Sequence, residues 1–404
     1  MGNIETFPNS RVIDEQLMSP KLDLPIRKLL GPGPANVHPR VMEAMHQPVI
    51  GHLDPAFKEV LAETSDLLRY AFGTDNEVTL AMSGTGFSGL DAALSNVLEP
   101  GDRIVVGQTG FFGAKAAEIA TRLGADVMLI SEGFGKPISL DTMQKAVAQC
   151  ESLKAIFLVS AETSVGLKQP MGEFSKIAQQ AGALLVADMV TLLGGDKVDL
   201  DKYGVDVAYS GSQKCVGAVP GTAPITFSPR AVETIRSRTQ PVPSWYLDVM
   251  ALHSYWNEPV YHHTCPSTLM MGLREALRIL KEEGIQARAD RHSRHGRALV
   301  AGLEAMGLEI ASDPEYRLGM LTPIVIPDGI NDAEIRTELL KRYSIEIGGG
   351  LGEWAGKVWR IGLMGHGSNM KNVLEVLSAL QALLSDRGYE SSPEMIEAAA
   401  RSVV

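Results

Sequence analysis

The segments AIFLVS (155–160) and ALLVAD (183–188) are apolar at odd and even positions alike. Strands with this pattern are buried on both faces, as they are in parallel sheets that helices cover. Five further runs of this kind occur in the chain: VTLAM (78–82), DRIVVG (102–107), ADVMLI (125–130), VDVAYSG (205–211) and APITFS (223–228). Helical patterns separate several of these runs, so we predict an α/β fold with a mostly parallel seven-stranded sheet. Ligand-binding groups are then expected at the carboxyl ends of its strands.

The chain changes character after residue 284. Fewer strand patterns follow, among them LTPIVIP (321–327) and KVWRIGL (357–363), and helical patterns surround them, which is typical of a small α+β domain. We therefore predict three regions: an N-terminal arm over residues 1–26, a large domain over residues 27–287, and a smaller C-terminal α+β domain over residues 288–404. The arm is polar, and we interpret it either as a loose tail or as a segment that lies on a partner subunit.

Composition excludes several classes of protein. The net charge of −11, without a basic cluster, argues against binding to nucleic acid. No apolar run approaches the roughly 20 residues that a membrane span needs. The cysteines, Cys150, Cys215 and Cys265, are widely spaced and form no disulfide framework, which indicates a reducing compartment. Residues 1–16 lack the pattern of a secretory signal, so we expect a cytoplasmic protein, with an organelle left open.

The segment SGTGFSGLDAAL (83–94) places glycines between a predicted strand and a predicted helix. Free backbone N–H groups and the positive end of the helix would make this turn a phosphate-binding cradle, to which Thr85 adds a hydroxyl. A plain glycine-rich turn explains the pattern equally well. The segment matches neither the GxGxxG fingerprint nor a P-loop, which disfavours a nicotinamide enzyme.

A buried carboxylate and a confined lysine are predicted at neighbouring strand ends. Asp188 ends the run ALLVAD, where burial is costly unless a cation meets the carboxylate; a helix cap or turn is the alternative. Lys214 lies among glycines in YSGSQKCVGAVPG (209–221), and a desolvated lysine has a lowered pKa and is a usable nucleophile. A phosphate cradle, a buried aspartate and a confined lysine together match pyridoxal 5′-phosphate, which needs a phosphate anchor, an anion at its ring nitrogen and a lysine.

The chain resembles the class V aminotransferases of fold type I, and within them the alanine–glyoxylate and serine–pyruvate aminotransferase group. The most specific pieces of the resemblance are SGSQK (210–214), VADMV (186–190), LEPGDRIVVG (98–107), YHHT (261–264) and RIGLMG (360–365). The resemblance covers most of the chain. It implies an enzyme dependent on pyridoxal phosphate that moves an amino group from alanine or serine to glyoxylate or pyruvate. It also implies a homodimer whose sites are shared between the subunits.

The resemblance implies roles for individual residues. Lys214 would hold the cofactor covalently and transfer protons, Asp188 would pair with the ring nitrogen, and Val190 would pack beneath the ring. The other implied cofactor contacts are Thr85, Gly86, Phe87 and Gln213 at the phosphate, Phe112 stacked on the ring, Thr163 near the ring hydroxyl, and Tyr261 and Thr264 from the neighbouring subunit.

Arg360 bears on the substrate. It lies between Trp359 and Ile361 in a predicted strand, and an arginine among apolar neighbours needs an anion, such as a carboxylate that its planar guanidinium binds in a bidentate manner. An intramolecular salt bridge would meet that need too, whereas in the resembled family the same arginine binds the substrate carboxylate. The stretch GPGP (31–34), with Gly33, would line the pocket from the other side.

Three alternatives are less well supported. A ureidoglycine–glyoxylate aminotransferase is the closest, although that branch tends to carry Gln and Asn where this chain has His52 and Tyr261. A lyase such as a desulfurase would need a reactive cysteine after Cys265, and none follows. A non-catalytic cofactor sensor would need a nucleic-acid module or a missing lysine. His262 and His263 lack further partners at metal-ligand spacing, so we predict no metal site.

Overall fold

A computed structural model describes residues 22–403 of the chain. Most of the predicted N-terminal arm therefore lies outside the described residues. Within residues 22–403, no helix is both long enough and apolar enough to cross a membrane.

The secondary structure consists of short strands and helices of up to six turns. The strands are β1 (Lys28–Leu29), β2 (Val78–Ser83), β3 (Arg103–Gly107), β4 (Asp126–Ile130), β5 (Ala155–Val159), β6 (Ala161–Glu162), β7 (Leu167–Lys168), β8 (Leu184–Asp188), β9 (Val207–Tyr209), β10 (Thr222–Phe227), β11 (Leu321–Val325), β12 (Ile345–Glu346), β13 (Gly348–Gly349) and β14 (Val358–Gly362). The helices are α1 (Pro39–Met45), α2 (Pro55–Phe72), α3 (Gly86–Val97), α4 (Phe111–Arg122), α5 (Leu140–Val147), α6 (Gly172–Gln180), α7 (Leu200–Tyr203), α8 (Pro229–Arg236), α9 (Val249–Asn257), α10 (Ser267–Glu283), α11 (Ile285–Ala305), α12 (Asp332–Tyr343), α13 (Met370–Ser385) and α14 (Pro393–Arg401). Short 3₁₀ helices span Trp245–Leu247, Gly352–Trp354 and Gly365–Gly367.

The central sheet has seven strands in the order β2–β10–β9–β8–β5–β3–β4. All run in one direction except β10, which is antiparallel to both of its neighbours. The seven apolar runs of the sequence form these seven strands, so the predicted mostly parallel sheet is confirmed. The register pairs Val159 with Asp188 and Asp188 with Tyr209, which brings the carboxyl ends of β5, β8 and β9 to one edge.

The part of the chain that follows α10 forms a second, smaller sheet. Strands β11, β14 and β13 form an antiparallel sheet with its own apolar core, which includes Trp359 and residues of α11, α12 and α13. Leu30 belongs to this second core, because β1 pairs in parallel with β12. The division of the chain at residue 287 stays a prediction.

Several elements were not predicted from the sequence. The two-residue strands β1, β6 and β7 are too short to show a periodic pattern. Helix α14 was detectable in principle: Ser392 caps it, proline is its first residue, and Ile396 and Ala400 form a buried pair four residues apart.

We expect that Gly296 in α11 is needed for packing. A Cβ atom there would lie 2.2 Å from the carbonyl oxygen of Gly319, and no side-chain rotation can relieve an overlap with backbone. Gly296→Ala should therefore lower the free energy of unfolding by about 1–3 kcal/mol, although alanine is the better helix former. Urea denaturation measures this. Gly172→Ala in α6, which meets no atom within 4 Å, is the matched control and should change stability by less than about 0.5 kcal/mol.

Candidate active site

A cavity of about 320 Å³ lies at the carboxyl edge of the central sheet. Its walls come from the ends of β5, β8 and β9, the start of α3 and α4, and β14 of the second sheet. The predicted site residues that line it are Gly33, Thr85, Gly86, Phe87, Phe112, Thr163, Asp188, Val190, Gln213, Lys214 and Arg360. Tyr261 and Thr264 do not line it: both are exposed on the surface of the chain.

Lys214 is buried, with 6% of its surface exposed. Its Nζ donates hydrogen bonds to Thr163 Oγ1 at 2.6 Å and to Thr191 Oγ1 at 3.1 Å. No carboxylate oxygen among the described residues lies within salt-bridge distance of Nζ. Burial lowers the pKa of Lys214 to about 8, so a substantial fraction of the amine is neutral and nucleophilic near physiological pH.

The residue at position 33 must be glycine, because its backbone lies very close to the side chain of Lys214. Its φ is 108°, and a Cβ atom at Gly33 would lie 3.0 Å from Lys214 Cγ. A larger residue would have to push the stem of Lys214 aside, so glycine at this position keeps the lysine in place.

Asp188 is buried at the end of β8 and has no cationic partner among the described residues. Its Oδ2 accepts a hydrogen bond of 2.5 Å from the Tyr209 hydroxyl, and its Oδ1 accepts one of 2.8 Å from the Val190 N–H. Burial raises the pKa of Asp188 to about 6, although both hydrogen bonds oppose the rise. A positively charged nitrogen bound beside this carboxylate would favour its ionised form.

The predicted cradle at the start of α3 leaves several polar groups free. Thr85 is the N-cap residue of α3, yet its side chain makes no capping hydrogen bond. The first N–H groups of a helix have no partner within the helix, and here they border the cavity. Gln213 Oε1 is buried without a hydrogen-bond partner. An anion with several oxygens would accept hydrogen bonds from the free N–H groups of the helix and from the Thr85 hydroxyl, which fits a phosphate. Gln213 could join them only through its amide N–H₂ group, because its Oε1 is an acceptor.

Arg360 lies in the middle of β14 and is 5% exposed. Its Nε donates to the Gly349 carbonyl at 2.7 Å and its Nη1 to the Thr163 carbonyl at 3.0 Å. No acidic side chain in residues 22–403 comes within 4 Å of the guanidinium, so the intramolecular salt bridge does not form. Burial lowers the pKa of Arg360 to about 10, which still leaves a cation at neutral pH.

Aromatic rings border the same cavity. The Phe112 ring centroid lies 5.6 Å from Lys214 Nζ and 6.3 Å from the Phe87 centroid. Phe112 is thus close enough to the lysine to cover a planar ring attached to it. Its stacking role stays a prediction.

Sequence reasoning missed Glu162, Tyr209 and Thr191. Glu162 is fully buried, and its carboxylate accepts hydrogen bonds from the Phe112 N–H at 3.0 Å and the Ser164 hydroxyl at 2.6 Å. It thereby takes the place of a capping side chain for α4, whose N-cap residue is Gly110. Burial raises the pKa of Glu162. The available signal was a single acidic residue, Glu162, in the otherwise uncharged stretch SAETSVG (160–166).

Comparison with known proteins finds relatives over most of the chain. Residues 29–355 match the family model described as aminotransferase class-V. An alanine–glyoxylate aminotransferase of Drosophila melanogaster is 38% identical over 365 residues, 89% of this chain and 92% of the relative. The structure of an alanine–glyoxylate aminotransferase from Nostoc sp. has a TM-score of 0.90 at 44% identity, covering 93% of this chain and all of that one. The structure of a ureidoglycine–glyoxylate aminotransferase from Bacillus subtilis has a TM-score of 0.92 at 36% identity, covering 95% of this chain and 99% of that one.

The lowered pKa of Lys214 predicts its labelling by an acylating reagent such as acetic anhydride. The neutral amine reacts, so labelling of Lys214 in the cofactor-free protein should rise with pH and level off above about 8. Labelling of Lys145, whose pKa is raised by its hydrogen bond with Asp141, should still be rising above the usual lysine value. Mass spectrometry of both peptides gives the two profiles. Coinciding profiles would contradict the lowered pKa.

Proposed function

The chain belongs to the class-V aminotransferases, and we propose that it transfers the amino group of alanine or serine to glyoxylate or pyruvate. Its family and its relatives are enzymes that depend on pyridoxal phosphate, so the predicted aminotransferase and its cofactor are confirmed. The choice of substrates is the part that we propose, and the unpaired cation Arg360 is the observation that carries it.

The residues around the cavity fit the cofactor at three points. The free groups at the start of α3 fit its phosphate, Asp188 fits its protonated ring nitrogen, and Lys214 supplies the amine that holds it. When bound, pyridoxal phosphate supplies an electron-withdrawing ring that makes the substrate Cα–H acidic.

Lys214 is also the base that we propose for proton transfer. Its neutral amine would accept the Cα proton of the amino donor and, in the second half of the exchange, would donate a proton to the Cα of the acceptor. Thr163 and Thr191 hold Nζ at hydrogen-bond distance, which restricts where that proton can travel. A pKa of about 8 suits both halves of this task at neutral pH.

Arg360 would hold the α-carboxylate of both substrates. Two of its donors are used by backbone carbonyls, which orient the guanidinium, and its charge remains without a counter-ion among the described residues. A substrate carboxylate would supply that counter-ion beside a buried guanidinium, where charge-assisted hydrogen bonds are strong.

The cavity favours small acids with one carboxylate. Apart from Arg360 and Lys214, no basic side chain lines it in the described part of the chain, so a distal carboxylate would meet no second cation. The ureidoglycine alternative is not favoured: among the residues that the structure describes, Gln213 is the one carboxamide in the cavity wall, and it lies beside the predicted phosphate position. Glyoxylate and pyruvate should therefore be better acceptors than 2-oxoglutarate.

The substrate proposal is tested by replacing Arg360. Arg360→Ala should lower kcat/KM for alanine and glyoxylate by about 30- to 1000-fold, since a charge-assisted pair contributes about 2–4 kcal/mol. Arg360→Lys should recover little, because a point charge cannot reproduce the planar fork. The absorbance of the bound cofactor should be unchanged in both variants.

Arg336→Ala is the matched control. Arg336 lies in the same part of the chain but is already paired with Asp332 through two hydrogen bonds of 2.8 Å, and it does not line the cavity. Its replacement should leave kcat/KM nearly unchanged. Near-normal kinetics of Arg360→Ala, or equal use of 2-oxoglutarate, would show that the substrate binds elsewhere.

We further propose a homodimer with shared sites. Large apolar side chains are exposed close to the cavity and to the 261–264 segment: Leu53, Phe87, Trp245, Tyr246, Val260 and Tyr261. A patch of this kind on a soluble protein favours burial against another chain. The resemblance assigns Tyr261 and Thr264 to the cofactor of the partner, and their position outside this chain's own cavity supports that assignment.

Mixing two inactive variants tests the dimer. Lys214→Ala subunits combined with subunits carrying Tyr261→Ala and Thr264→Ala would form heterodimers with one intact site, because the defects then fall in the same site. Random reassembly should restore about a quarter of the wild-type activity, since half the dimers are mixed and each has one good site. Activity no higher than the mean of the two parents would contradict shared sites.

A cytoplasmic location is part of the proposal as well. The cysteines Cys150, Cys215 and Cys265 are all free thiols, and two of them are buried. Free cysteines are what a reducing compartment favours.

A further inference from the structure

The adjacent histidines His262 and His263 have no role in the function proposed above. Both are buried, with 3% and 9% of their surfaces exposed, and no carboxylate among the described residues lies within salt-bridge distance of either ring. The two Nδ1 atoms are 2.9 Å apart. Two nitrogens at that distance share one hydrogen, so one ring donates and the other accepts.

The outer nitrogens of the pair decide the direction of that hydrogen bond. His262 Nε2 lies 3.1 Å from the carbonyl oxygen of Trp245, which can only accept, so His262 carries its hydrogen on Nε2. If His262 carried a second hydrogen on Nδ1 it would be a buried cation without a counter-ion, which is costly. His263 therefore donates from Nδ1 to His262 Nδ1. Burial lowers the pKa of His263 to about 4, so this ring is neutral as well.

The other end of the pair reaches Ser83. With its hydrogen on Nδ1, His263 must accept at Nε2, and Ser83 Oγ lies 2.6 Å away and donates to it. The sulfur of Cys265, at 3.9 Å, is the weaker acceptor for the same hydroxyl. The Ser83 carbonyl accepts a further hydrogen bond of 2.9 Å from the Tyr246 hydroxyl. Ser83 is thus held at both its side chain and its backbone.

Ser83 lies where strand β2 meets the predicted phosphate cradle. It is the last residue of β2 and directly precedes Gly84 and Thr85, which lead into α3 and the predicted phosphate cradle. Glycine-rich backbone does not fix its own conformation, so the residue before it must be anchored by other means. Trp245, stacked on the His262 ring at 4.2 Å, anchors the far end.

We propose that Ser83, His263, His262 and the Trp245 carbonyl form a hydrogen-bond chain of fixed direction that holds the end of β2, and that the two histidines are therefore positioning residues for the phosphate cradle. The proposal rests on the proposed place of the cofactor phosphate. His262 and His263 lie between Tyr261 and Thr264 in the sequence. The same hydrogen bonds therefore connect the cradle of one subunit to the residues proposed to serve its partner.

The direction of these hydrogen bonds is tested on the whole enzyme with its cofactor. Nitrogen-15 NMR of histidine-labelled protein, assigned with the single variants, should show His262 protonated at Nε2 and His263 protonated at Nδ1. His263 protonated at Nε2 would contradict the proposed direction of the hydrogen bonds and would overturn the proposal. This measurement does not depend on where the cofactor binds.

The positioning role is tested by the affinity of the cofactor-depleted chain for pyridoxal phosphate, followed by tryptophan fluorescence. Ser83→Ala and His263→Asn remove the link to the cradle, and each should weaken binding about tenfold, since the loss leaves a buried polar atom unsatisfied. The longer side chain of His263→Gln places an oxygen near the lost Nε2, so it should restore affinity to within about threefold of wild type. His253→Asn is the matched control, because among the described residues the His253 ring has polar contacts only with Asn257 of α9 and the exposed carboxylate of Glu77, neither of which reaches the cradle.

The outcomes separate this proposal from the proposed function. Unchanged affinity in Ser83→Ala and His263→Asn, with normal binding by the wild type, overturns the positioning role. If His263→Asn and His263→Gln lose affinity for pyridoxal phosphate equally, and lose thermal stability equally as well, the two histidines contribute only to general packing. That result would also overturn the positioning role. If the wild type itself binds no pyridoxal phosphate, the proposed function fails and the positioning role fails with it.

Discussion

Thr163 joins two buried cations. Its hydroxyl accepts from Lys214 Nζ at 2.6 Å, and its carbonyl accepts from Arg360 Nη1 at 3.0 Å. Neither cation has a carboxylate partner in the described part of the chain, and such burial costs several kcal/mol for each charge. A fold selected for stability alone would pair or replace these groups. The cavity between them is therefore best understood as a place where anionic ligands supply the missing charge.

The same burial moves the titratable groups toward neutrality. It lowers the pKa of Lys214 to about 8 and raises that of Asp188 to about 6. Lysine and aspartate pKa values ordinarily lie more than six units apart, whereas here they come within about two. Groups that titrate near neutral pH exchange protons readily, which is what proton transfer at a substrate carbon requires. The stability that this costs is recovered when ligands bind.

The sequence was sufficient for the parts of the structure that follow from pattern and order along the chain. Seven apolar runs became seven strands, and because parallel strands end at one edge, Asp188 and Lys214 had to meet. It was insufficient where distant residues pack together. Nothing near Glu162 in sequence shows that it caps α4, and nothing near Leu30 shows that it joins the second core. The resemblance named Tyr261 and Thr264, but only the fold shows that they lie outside this chain's cavity.

The relative placement of Lys214 and Arg360 depends on directional contacts as well as apolar packing. Arg288, near the start of α11, donates to the carbonyl of Cys215, the residue after Lys214, at 2.7 Å.

One turn later, Arg291 donates to the carbonyl of Gly365, and His292 Nε2 accepts from the Gly365 N–H at 3.0 Å, just beyond the strand that carries Arg360. Apolar surfaces can slide by fractions of an ångström at little cost, whereas hydrogen bonds weaken steeply when misaligned. In the proposed reaction, a substrate bound by Arg360 while Lys214 moves its proton would need to be placed to within about 0.5 Å. Helix α11 supplies it, because one rigid element binds the backbone on both sides of the cavity.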